Sequence, residues 1–258
     1  MKNTTSEFGS LIIPIVCRMN ILEILQLSIT VSQGNSLIDC IYLDKQIVKN
    51  IASLRRFEFD IVSRMCFNDI RRTFTEREYN VDGYINYYVQ LRSKICQCHV
   101  YSIPFNMKYM QGIAHCFPGG LFSNVNVLYI QDSVAPFEPM FFVKISHAFP
   151  SIRRLTISNL NEQTKKEVKD LSIVKFPRLV EVKILYSHMD YVEQFLLDSK
   201  TSAPYLTELH VHFEHLVTVT DNFTREETRS ICANLNVLHF GFQIDVLYSE
   251  EFYEKDVL

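Results

Sequence analysis

The chain has 258 residues, of which 47% are apolar and 21% charged, and its 26 basic and 29 acidic side chains leave a net charge of −3. That balance favours one compact or repetitive soluble domain and gives no basic face for nucleic acid. Seven glycines, against an average usage of about 7%, exclude collagen-like and Gly/Ser-linker architectures, and no Gly-rich phosphate loop is present.

In chain order, residues 1–21 read as an N-terminal cap or remnant. The longest apolar run, Leu11 to Cys17, is broken by Pro14 and is too short for a membrane span or a secretory signal. Leu22, Leu25 and Leu27 outline a first strand. Leu37, Cys40, Ile41, Ile47 and Val48 fit a helix between Asn35 and Asn50, and Leu54, Phe57 and Phe59 outline a second strand. The stretch near 65–91, rich in arginine, glutamate and tyrosine, reads as a helical insertion.

Beyond it the chain repeats. Ile95 to Ile103, Phe122 to Ile130, Phe149 to Ile157, Phe176 to Ile184 and Ala203 to Val211 align without gaps at a constant spacing of 27, and Cys232 to Phe240 follows after 29. Each has an apolar residue at its fourth, seventh and ninth positions, as in Ile152, Leu155 and Ile157. The last two define a short strand with alternate side chains turned inward. Helical spacing of Phe141, Phe142, Ile145 and Phe149, and of Val192, Phe195, Leu196 and Ser199, supplies returning helices, the second opened by Ser187-x-x-Asp190 as a capping box. Val168, Leu171 and Val174 mark a third. The expected fold is α/β, with 22–245 forming the repeat array and 246–258 an acidic tail or cap.

The L-x-x-L-x-L shape at this period resembles the leucine-rich repeat, in the long, helix-containing form of ribonuclease inhibitor and F-box/leucine-rich-repeat proteins. The phrases Tyr87 to Phe122, Tyr191 to Thr201 and Asn222 to Arg229 are similar to F-box-like repeat proteins of bdelloid rotifers. The resemblance implies a solenoid with a curved parallel sheet on the concave side and helices on the convex side. It also implies a protein-binding role, as the substrate-recognition part of a ubiquitin-ligase adaptor. No F-box signature is found, so a ligase linker subunit is a partner only if an F-box is present in a fuller chain. The alternative is a truncated or degenerate scaffold without a specific ligand. The family's Asn or Cys three residues after the strand falls here on Asn106, Ser133, Leu160, Ser187, Glu214 and Gln243, so the buried polar ladder is expected to be mostly missing.

Partner contacts in such a stack come from outward strand positions. These include Arg55, Arg56, Glu58, Asp60, Tyr129, Gln131, Arg153, Arg154, Thr156, Glu181, Lys183, Glu208, His210, His212 and His239. His210, His212 and His215, with His239 one strand over, lack a cysteine at ligand spacing, and Cys96-x-Cys98 lacks a second pair, so no metal is expected. No nucleophile–base motif occurs, and no enzyme activity or cofactor is expected. The partner is a protein, not nucleic acid or membrane. Seven scattered cysteines read as reduced thiols of a cytoplasmic or nuclear protein.

Overall fold

The computed structural model describes residues 12–31, 40–63, 80–90, 93–165 and 173–241. After a single helical turn, α1 (Ile13–Val16), β1 (Ile24–Val31) and β2 (Arg56–Ser63) pair in parallel across α2 (Cys40–Gln46). The register sets Leu25 against Phe57 and Leu27 against Phe59, the apolar positions expected from sequence. β3 (Val81–Gln90) and β4 (Ser93–Ser102) form an antiparallel ribbon that joins the edge of β2 through β4, in the order β1-β2-β4-β3.

Six parallel strands make the second sheet: β5 (Tyr109–Ile113), β6 (Val127–Gln131), β7 (Arg154–Asn159), β9 (Glu181–Ser187), β11 (Glu208–His212) and β12 (Val237–Gly241). They lie side by side in chain order, while β8 (Val174–Lys175) and β10 (Thr201–Ser202) form a separate short pair. The helices α3 (Pro139–Ala148), α4 (Met189–Leu196), α5 (Phe213–Val219) and α6 (Glu226–Cys232) fall between the strands. The fold is thus α/β with a parallel sheet.

The 27-residue spacing becomes spatial register. Leu128, Leu155, Val182, Leu209 and Leu238 align across the sheet, as do Ile130, Ile157, Ile184, Val211 and Phe240. The first four of each row are fully buried, whereas Leu238 and Phe240, on the last strand, are 39% and 42% exposed. Val125, Ile152, Leu179 and Leu206, the fourth positions, are buried, and each donates its N–H to the carbonyl of the first residue of its segment, closing an identical turn. The carbonyls of Lys108, Asn126, Arg153, Val180 and Thr207 then each accept two N–H groups from the following strand entrance.

First-position Phe122 and Phe149 stack at 5.1 Å, and Phe176 stacks on Phe195 of α4. Pro139, whose fixed φ suits a first helical turn, starts α3. Its Phe141, Phe142 and Ile145 pack into the same core as the strand rows.

Several expectations are corrected. Residues 95–103 do not enter the parallel sheet: they lie mostly in antiparallel β4, and the place next to β6 is taken by Tyr109–Ile113. Residues 81–90 of the expected helical insertion are strand β3, where the alternation of a strand turns Val81 and Ile85 to one core and Tyr84 to the other. Residues 65–79 and 91 of that insertion, residues 242–258 with the expected tail, and residues 166–172 of the third helix lie outside the described residues, and Val174 is in β8. Ser187 does not cap α4. Its hydroxyl donates to the Ile157 carbonyl, and the His188 ring accepts from Asp190 N–H instead.

Buried polar residues do follow the strands, at offsets that vary from one to three. Asp132 accepts the N–H groups of Val134, Ala135 and His115. Asn159 donates to the Ala135 carbonyl and accepts from Asn161 N–H. Ser187 and His212 continue the row, and all four are buried. A fixed offset of three misses Asp132 and Asn159, which follow their strand's last apolar residue by two. Removing the buried isobutyl group with Leu155→Ala should lower unfolding free energy by about 2–5 kcal/mol. Leu238→Ala on the half-exposed edge should cost no more than about half as much, as read from urea unfolding of the two variants.

Candidate outward-face interaction site

Because the strands are parallel and in register, outward residues also form rows, with neighbours about 4.8 Å apart. One row runs Val127, Arg154, Glu181, Glu208, Val237, and the next Tyr129, Thr156, Lys183, His210, His239. The expected site residues of the second sheet are therefore brought together, except that Arg153 sits one residue before its strand and His212 turns inward.

Glu181 is the charge centre of this face. Its carboxylate meets Arg154 at 3.0 Å, Lys183 at 2.8 Å and His210 at 3.3 Å. Glu208 meets His210 at 2.9 Å and His239 at 3.4 Å through the same oxygen. The hydrogen bond from His210 holds the Glu208 carboxyl below its usual pKa. The two imidazoles stack with centroids 4.1 Å apart. Glu208, His210 and His239 are the one group among the described residues able to offer three donor atoms to a metal ion. Tyr129 is half-buried, its hydroxyl donating to Gln131, and Thr156 is likewise half-buried.

Four of the expected contact residues are not on the accessible surface. Glu58, Asp60, Glu181 and His212 are 4%, 0%, 6% and 4% exposed. Glu58 accepts from Gln26 and Asn106 and pairs with Arg56 at 3.2 Å. Arg55 is exposed and only loosely paired with Glu23, at 3.8 Å. His212 bridges the Gly241 carbonyl and the Tyr186 N–H.

Asp60 anchors a buried polar chain between the two sheets. It accepts from Ser28, from Gln111 N–H and from His99 Nε2. His99 Nδ1 in turn faces the Tyr84 hydroxyl at 3.1 Å, and that hydroxyl accepts from Ala114 N–H. Burial pushes the Tyr84 phenol well above its ordinary pKa. The order of side chains is that of a nucleophile–histidine–carboxylate relay, but Tyr84 is 8% exposed and His99 1%. The chain therefore works as a structural joint between sheets. His115 is held by Asp132 at 2.6 Å, and no cysteine–histidine group among the described residues gathers three metal donors. Cys116 is a free thiol whose pKa burial raises to about 11.

A groove of about 550 Å³ crosses the turns that lead into β6, β7, β9 and β11, between Ser123, Asn124, Asn126, Ser151, Arg153, Pro177, Arg178, Val180 and Tyr205. Arg153 and Arg178 are exposed, Tyr205 is 64% exposed, and the groove lining includes no carboxylate. Arg178 and Tyr205 escape a reading confined to strand positions. Their signal is the proline that precedes each of them inside the repeated turn.

Family models, curated proteins and solved structures were each compared with the chain, and none matches. Among the described residues no helix is long and apolar enough to cross a membrane. Asp60→Ala removes the acceptor for three donors and one partner of a buried pair. It should lower stability by about 3–5 kcal/mol, measured by chemical denaturation, whereas Arg55→Ala on the exposed loose pair should change it by less than about 1 kcal/mol.

Proposed function

We propose that the chain is a leucine-rich-repeat solenoid, of the F-box/leucine-rich-repeat type it resembles, and that it serves as a non-catalytic module binding an acidic segment of a protein partner. The reading is supported by the repeated turn, the doubled carbonyl acceptor at every strand entrance and the aligned apolar rows. The observation that carries the binding role is the turn groove with Arg153, Arg178 and Tyr205. Among the described residues no carboxylate pairs with either guanidinium there, and arginine and tyrosine are the side chains most often dominant at interfaces. Arg154 differs, since Glu181 already engages it.

A ubiquitin-ligase adaptor role adds a linker subunit that would bind through an F-box carried elsewhere on a fuller chain. Co-purification of that subunit tests this part separately. For the groove, capture from native cells should be compared between the unaltered chain, an Arg153→Glu/Arg178→Glu variant and an Arg154→Glu variant. The expected result is loss of acidic partners with the double variant and their retention with Arg154→Glu. Identical partner sets for all three would rule out the groove as the contact.

A further inference from the structure

We propose that Glu208, His210 and His239 form a binding site for a divalent transition-metal ion of the zinc type on the outward face of β11 and β12. Three features of the chain place these donors together. Glu208 and His210 are two residues apart on one strand and so share a face. His239 is the in-register partner of His210 on the next strand. One nitrogen of each ring and one carboxylate oxygen lie within 4.8 Å of one another.

Tetrahedral zinc with bonds of about 2.0–2.2 Å sets its ligand atoms about 3.3 Å apart. Here Glu208 lies 2.9 Å from His210 Nε2 and 3.4 Å from His239 Nε2. Two imidazoles and one carboxylate are an established zinc donor set that leaves a fourth position for water.

The stacked rings must turn about χ2 for their lone pairs to converge. The His239 side chain, 52% exposed, has room to do so. Glu181 remains engaged by Arg154 and Lys183. Its carboxylate also lies 3.3 Å from His210 Nε2 and adds negative charge beside the site. A bound ion would tie β12, the most exposed strand of the sheet, to its neighbour and stabilise the folded chain by mass action.

The test uses the full chain freed of metal by chelation, then titrated with zinc chloride by calorimetry and with cobalt(II) by visible absorption. The expected result is one equivalent bound, a tetrahedral cobalt spectrum without a thiolate charge-transfer band, and a rise in melting temperature with zinc. His239→Ala and Glu208→Gln should each weaken binding by at least about tenfold. A control variant, His147→Ala on the exposed side of α3, should bind as the unaltered chain does. Circular dichroism confirms that each variant is folded. His239 and Glu208 are surface positions, and cobalt absorption reports the ligand set independently of stability. Absence of binding, a thiolate band, or binding unchanged in both site variants would overturn the proposal.

Discussion

Burial of two apolar rows, one headed by Leu128 and the other by Ile130, governs this molecule. A short parallel strand presents only two inward side chains, too few to hold it in place alone. Stability comes from laying each strand against its neighbour so that inward residues meet their own counterparts one period away. Once that register is imposed, the turn hydrogen bonds and the doubled carbonyl acceptors repeat with it. The outward rows are a by-product of the same register. This is why Arg154, Glu181 and Glu208 stand in line, and why His210 faces His239.

The regular part of this arrangement is legible in the sequence because period and burial coincide there. From Phe122 to Phe240 the apolar positions at four, seven and nine mark the strands that form, and the aromatic spacing of Phe141, Phe142 and Ile145 marks α3. The period misleads at Ile95 to Ile103, where Cys98, Tyr101 and Ile103 satisfy the pattern by composition. In an antiparallel ribbon the same alternation serves equally well, and pairing with β3 decides between them. Likewise a fixed offset cannot find Asp132 and Asn159, since the strand ends vary by a residue or two. Outward exposure was readable for Arg153 and Lys183 but not for Glu58 or Asp60. Their burial depends on β4 and on the segment around Asn106, which arrive from distant sequence.

That junction is where the fold departs from simple repetition. The first pair of strands and the six-stranded sheet are linked by a polar chain from Ser28 through Asp60 and His99 to Tyr84, with Gln111 of β5 and Ala114 just after it donating into it. Charged and polar groups buried this completely require full partnering, and their directionality sets how the antiparallel ribbon meets β2. At the opposite end no strand lies beyond β12 among the described residues, so Leu238 and Phe240 occupy core rows but remain half open. The binding surfaces inferred for the turn groove and for the histidine pair lie on the regular part, where geometry follows from the repeat.

Pulsed electron–electron resonance between nitroxides at exposed positions of one outward row measures that register directly. Tyr109, Arg154 and Val237 belong to the same row, with Tyr109 and Val237 five strand intervals apart and Arg154 and Val237 three. At about 4.8 Å per interval, the mean distances should be about 24 Å and about 14 Å, each a single narrow population. Distances that fail to grow with the number of intervening strands would contradict an in-register parallel stack.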